Sequence, residues 1–169
     1  ISGTKSSGKV IGANDRVNVA VCGIKSRGAS HIGGLGRQKN VTISHLVDPD
    51  SSLYDGRKKF VASKFKNSPE CIQDVRNVLD NKDVDVISIA TPNHWHSLMS
   101  IWACQSGKDV YVEKPLSHNI FEGKQLVEAA KKYGRIVQHG TQNRSIQKWA
   151  DQAKDIASGK NGKLEVALG

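Results

Sequence analysis

ATPNHWHSLMSIWACQSGKDVYVEKP, residues 90–115, reads as the end of a buried strand, a turn, a helix and a second strand closing on Glu113-Lys114-Pro115. The run ahead of it, VDVISIA at 84–90, is short, apolar and rich in β-branched residues, the pattern of a strand covered on both faces. Strand, helix and strand in that order form a right-handed crossover between parallel neighbours. The polar residues gather where these strands end. Thr91, Pro92, Asn93, His94 and His96 follow the first, and Lys114 follows the second. Parallel α/β sheets build their ligand crevices at this carboxyl edge.

The same alternation extends in both directions. VNVAVC at 17–22 and VTISHLV at 41–47 are strands, with a glycine turn and a weak helix to about Gln38 between them. A basic amphipathic helix is expected from Leu53 to Lys66, broken by Pro69, and a short helix from Cys71 to Leu79. Asn93 reads as the N-cap of a helix that runs to Gln105 and ends at Gly107. Asp109–Val112 is a strand, Phe121–Tyr133 an amphipathic helix stopped by Gly134, and Arg135–His139 a strand. Ser145–Ser158 is a helix closed by Gly159, and Leu164–Leu168 begins a further strand. The unit recurs about five times. Such a chain is α/β, a doubly wound parallel sheet whose default ligand is a nucleotide.

The turn after the first strand, Cys22-Gly23-Ile24-Lys25-Ser26-Arg27-Gly28, matches two of the three glycines of a G-x-G-x-x-G fingerprint. Lys25 stands where the central glycine lets backbone approach a pyrophosphate. By itself the turn reads equally well as an ordinary strand-to-helix connection. Asp48, 25 residues after Gly23 and at the end of the second strand, adds to the match. An acid there accepts hydrogen bonds from an adenosine ribose and repels a 2′-phosphate, which favours NAD over NADP. Its alternative is a plain Asp-Pro turn. The order strand, glycine turn, helix, strand, acid is more specific than any of its parts, and the fold expected is Rossmann-like.

Other candidates are weaker or bland. His94 and His96 are two apart, so they share no helix face and no metal pair is expected. Trp95 and Trp102 read as core. Lys114, held before Pro115, suits proton transfer or a substrate hydroxyl, against a simple strand-end ion pair. Cys22, Cys71 and Cys104 lack CxxC spacing and an even count, so no disulfide framework is expected. The net charge of +9 comes from 25 Lys+Arg against 16 Asp+Glu. The cations look scattered, with Arg57-Lys58-Lys59 and Lys64-Phe65-Lys66 on the wet face of one helix, and no nucleic-acid partner is expected. No window holds ~20 apolar residues, so no membrane span is expected.

With Asp48, the Ala90-Thr91-Pro92-Asn93 turn with His96, and Glu113-Lys114-Pro115 in order, the chain resembles the glucose–fructose oxidoreductase, inositol dehydrogenase and MocA family (Gfo/Idh/MocA), over about Val17 to Arg144. DVYVEKPLSHN is similar to a branch common in bacteria that degrade polysaccharides. The resemblance implies an NAD(P)-dependent enzyme that moves hydride between nicotinamide and a sugar, polyol or related carbohydrate. It implies cofactor contacts at Gly23, Ile24, Arg27, Gly28, Asp48, Thr91, Pro92, Asn93, His96, Glu113 and Gln142. Lys114 would be catalytic, binding substrate together with Arg144, and a cis bond before Pro115 is common in the family. No metal is expected.

The expected organisation is a flexible leader at 1–15, a nucleotide-binding domain at 16–144, and at 145–169 a hinge helix and the first strand of a substrate domain that is not present. The piece alone is then expected to be inactive. The full-length protein is expected to form a homo-oligomer. It would be cytoplasmic, or periplasmic if a twin-arginine signal preceded these residues. Two alternatives stand beside the dehydrogenase: an NAD-assisted glycoside hydrolase of the same superfamily, and a non-catalytic nucleotide-binding module, the latter motivated by Lys25.

Overall fold

The computed structural model describes residues 16–160, 162–163 and 165–166. The expected leader lies outside the described residues. So does most of the expected strand at 164–168, of which Glu165 and Val166 are described and take no regular structure.

Six strands, β1 (Val17–Cys22), β2 (Val41–Val47), β3 (Glu70–Ile72), β4 (Val86–Ile89), β5 (Asp109–Glu113) and β6 (Val137–Gly140), form one sheet in the order β3-β2-β1-β4-β5-β6. The sheet is all-parallel and flanked by helices, a Rossmann-like fold. The chain starts at the centre, winds outward through β2 and β3, then returns to wind the other way from β4. This leaves the topological switch point between β1 and β4, which pair in register from Val19–Val86 to Cys22–Ile89.

Period-two alternation in β1 explains why it is central. Val19 and Val21 pack with Ile32 of helix α1 (Arg27–Gly36) and Val61 of helix α2 (Tyr54–Phe65). Ala20 and Cys22 face the other layer, with Ala103 and Cys104 of helix α4 (His96–Gln105) and Leu126 and Ala129 of helix α5 (Ile120–Tyr133). All four β1 residues are buried, and burial pushes the Cys22 thiol up to about 12, with the Asp48 charge acting in the same direction. Between β1 and β2 the register slips by one residue, leaving Ser44 unpaired, and its hydroxyl donates to the Val19 carbonyl at 3.2 Å.

Two elements differ from the sequence expectation. Cys71 and Ile72 belong to a strand, not a helix: they pair with Leu46 and Val47 along the open edge of β2. Helix α3 (Arg76–Leu79) starts only after Asp74, whose carboxylate accepts the Arg76 N–H at 2.9 Å. Asn93 does not cap α4. It opens a 3₁₀ turn, Asn93–Trp95, in which the Trp95 N–H bonds the Pro92 carbonyl, and α4 begins at His96. Trp95 is exposed where a core position was expected, its ring 6.4 Å from that of the half-buried Trp102. Helix α5 ends as expected, at Gly134 in the left-handed conformation.

Residues up to His139 make one compact unit and those from Gly140 a second. The second holds a 3₁₀ turn, Gln142–Ser145, and helix α6 (Gln147–Ala157), which exposes Trp149 and Ile156.

Candidate functional site

Of the residues expected to form a site, those before Gly140 lie at the carboxyl edge of β1, β2, β4 and β5. Gly23 leaves β1 at φ +80°, a region glycine enters freely. A Cβ on it would lie 2.7 Å from the Ala90 carbonyl oxygen at the end of β4. A Cβ on Gly28 would fall 1.7 Å from the Gly23 carbonyl oxygen. Both positions therefore require glycine, and the start of α1 lies directly against the β1 turn. The first turn of α1 carries no acid and no side-chain cap, so an anion fits there. Lys25, in place of a central glycine, is exposed.

Asp48 closes this loop from β2. Its Oδ2 accepts the Ile24 N–H at 2.9 Å and its Oδ1 the Asp50 N–H at 3.0 Å. Each carboxylate oxygen keeps a second acceptor site, so the ribose role read from the sequence remains open to it. A residue that sequence reading assigned to the wet face of α2 does structural work here. Arg57 donates from Nε to the Ile24 carbonyl at 2.7 Å and from Nη2 to the Lys25 carbonyl. It fixes two consecutive loop carbonyls, while the Ile24 N–H is taken by Asp48.

At the end of β5, buried Glu113 gathers three donors. Arg27 Nε reaches Oε1 at 2.5 Å, His31 Nε2 reaches the same oxygen at 3.2 Å, and the Lys114 N–H reaches Oε2 at 3.1 Å. A carboxylate only accepts, so His31 carries its proton on Nε2 and its Nδ1 accepts the Ser88 hydroxyl at 2.8 Å. Burial pushes the His31 imidazole below its ordinary value, with Glu113 opposing only in part, and the ring is neutral at pH 7. Burial alone would raise Glu113. The bonds from Arg27, His31 and the Lys114 N–H outweigh it and hold the carboxyl below its usual range. Sequence reading found Arg27 and Glu113 but missed His31 and Ser88. The available signals were the i,i+4 spacing of Arg27 and His31 and a lone serine inside VISI.

His96, also buried, ties the β4 turn to the β5 turn. Its Nδ1 lies 2.6 Å from the Pro115 carbonyl and its Nε2 2.8 Å from the Thr91 carbonyl. The Lys114–Pro115 bond is cis. Between these clamped turns Lys114 is exposed, and its Nζ has no bonding partner among the described residues. Thr91 Oγ1 lies 3.9 Å from the Met99 sulfur, and Pro92 and Asn93 are exposed on the same turn. Gln142 and Arg144 lie in the 3₁₀ turn of the second unit. Among the described residues no group of three His, Cys, Asp or Glu could hold a metal ion, and no helix is long and apolar enough to cross a membrane.

Residues 17–141 match the Gfo/Idh/MocA family model, described as an oxidoreductase family with an NAD-binding Rossmann fold. A Shewanella pealeana protein named as a glycosyl hydrolase family 109 protein is 30% identical over 135 residues, which cover 78% of this chain and 30% of that protein. The crystal structure of an NAD-binding oxidoreductase from Klebsiella pneumoniae superposes at a TM-score of 0.70 with 27% identity, covering 85% of this chain and 39% of the other. The WlbA dehydrogenase from Bordetella pertussis, solved with NADH and UDP-GlcNAcA, shares the fold at a TM-score of 0.76 and 20% identity, covering 89% of this chain and 42% of the other. The chain thus spans less than half the length of these relatives.

Proposed function

Because the chain belongs to the Gfo/Idh/MocA oxidoreductase family and carries its NAD-binding Rossmann domain, we propose that the whole protein transfers hydride between NAD and a carbohydrate. One observation carries the reading. The glycine loop, Asp48 bonded to it, and a lysine whose Nζ has no bonding partner among the described residues converge on one sheet edge. Gly23, Gly28 and the start of α1 would take the pyrophosphate, and Asp48 the adenosine ribose, disfavouring NADP. Thr91, Pro92, Asn93 and His96 would shape the nicotinamide end together with Glu113. Bound nicotinamide supplies the hydride acceptor or donor. Lys114 would bind the substrate hydroxyl and hold or move its proton.

The glycosyl hydrolase name of the Shewanella relative favours a second reading, glycoside cleavage with the cofactor retained and recycled. Both readings begin with oxidation of a sugar hydroxyl, so they share the residues above. Full-length protein with NAD and a panel of sugars, polyols and aryl glycosides separates them. Sugar-dependent build-up of NADH supports the dehydrogenase. Aglycone release without net NADH supports the hydrolase. Neither, with NAD bound, leaves a nucleotide-binding module and refutes the proposal.

A further inference from the structure

At the amino-terminal edge of the sheet, opposite the glycine loop, the ends of α1 and α2 and the starts of β1 and β2 enclose a cleft of about 580 Å³. Five cations line it: Arg16, Arg37, Lys39, Lys64 and Lys66. Among the described residues no carboxylate lines it. The depletion reaches well beyond the lining, since residues 16–47 and 56–69 contain no Asp or Glu at all. None of the five has an ion-pair or hydrogen-bonding partner for its side chain among the described residues. Cations that read as scattered in the sequence are thus gathered by the fold. Two helix carboxyl ends attract positive charge through their dipoles, an effect that falls off within the last turn, and Arg16, ahead of β1, belongs to neither helix.

The walls are built closely. Gly36 ends α1, and a Cβ there would lie 2.5 Å from the Phe65 ring, so the two helices meet at the cleft floor through glycine. Lys66 stands at φ 57°, the one non-glycine residue of positive φ among those described. It occupies the left-handed position after α2 that glycine takes freely. A charged side chain is kept there against that backbone preference. Asn67 is fixed beside it by a 2.7 Å bond to the Ile43 carbonyl.

We propose that this cleft is a second binding site, for a compact ligand bearing two or more phosphate or sulfate groups, separate from the NAD edge. Several unpaired cations around one concavity raise the local concentration of such an anion, and Gln38, Thr42 and Asn67 supply neutral polar groups beside them.

The test is calorimetric titration of NAD-saturated protein at low salt, with tripolyphosphate in one arm and a trisulfated heparin disaccharide in the other. Saturation with NAD occupies the glycine loop, so that loop cannot account for the binding. The proposal predicts 1:1 binding of at least one probe, and the arm that binds identifies the phosphate or the sulfate source. It predicts at least tenfold weaker binding in Lys64→Gln/Lys66→Gln, with NAD affinity changed less than twofold. Lys66→Gly keeps the left-handed turn and removes only the side chain, and should weaken the probe about threefold or more without loss of thermal stability. Absence of binding by both probes would overturn the site. So would equal weakening by Lys58→Gln/Lys59→Gln, a charge change elsewhere on the same helix.

Discussion

Arg57→Met tests whether the cofactor loop is held from behind by α2. The guanidinium makes two bonds to consecutive loop carbonyls, one to Ile24 at 2.7 Å and one to Lys25. A charged donor to a partly buried carbonyl contributes about 1.5–3 kcal/mol. The bond to Lys25 is exposed, and solvent screening reduces it to about 0.5–1 kcal/mol. The sum is about 2–4 kcal/mol, divided between global stability and the order of the loop. Methionine retains most of the aliphatic packing, so the loss isolates the hydrogen bonds. A domain of this size loses roughly 3–4 °C of Tm per kcal/mol. We expect a Tm lower by several degrees and an NAD Kd raised about tenfold, which corresponds to about 1.4 kcal/mol. Differential scanning calorimetry and an NAD titration read the two shares. Lys59→Met, two positions on and exposed, is the control and should change neither. If Arg57→Met matches wild type in both readouts, or Lys59→Met reproduces its loss, the loop is not held as described.

Gly28→Ala puts a Cβ 1.7 Å from a backbone oxygen, so α1 must move away from the β1 turn, and both folding yield and NAD binding should fall sharply in calorimetry and titration. His31 is neutral and below its ordinary value in the fold, so the unfolded chain binds its proton first. Stability should therefore fall as pH drops below about 6.5, joined by His45, and fall again below about 4.5 as Glu113 protonates. In denaturant titrations across this range, His31→Asn should flatten the upper slope, and an unchanged slope would refute the assignment. Lys114 fastens its turn only through its backbone, so Lys114→Met should leave NAD affinity within about twofold while abolishing turnover of the full-length protein.

The sheet was legible because its strands announce themselves. VNVAVC, VTISHLV and VISI are buried on both faces, and parallel central strands read as continuous apolar runs. β3 was not legible: its three residues carry no periodicity, and only the open edge of β2 makes Cys71 and Ile72 a strand. Asn93 misled because propensity favours it as a cap, whereas Pro92 sets the chain direction one residue earlier and closes a 3₁₀ turn. At the site, Gly23, Gly28, Asp48, Glu113 and Lys114 follow strand ends at recognisable spacings. Arg57 and His31 act across 33 and 82 residues of sequence, on Ile24 and Glu113 respectively, and no local pattern encodes such partners. Lys25 looked like damage to the glycine loop. In the fold its side chain is exposed and its carbonyl is anchored by Arg57.

The measurement that bears most directly on the account is a calorimetric titration of this chain with NAD and, separately, with NADP, repeated on Asp48→Asn. The account predicts that NAD binds and NADP binds at least tenfold more weakly, because the Asp48 carboxylate would face a 2′-phosphate. It predicts that Asp48→Asn weakens NAD and narrows the gap between the two. Equal or tighter binding of NADP by the native chain, or a gap unchanged by Asp48→Asn, would contradict it.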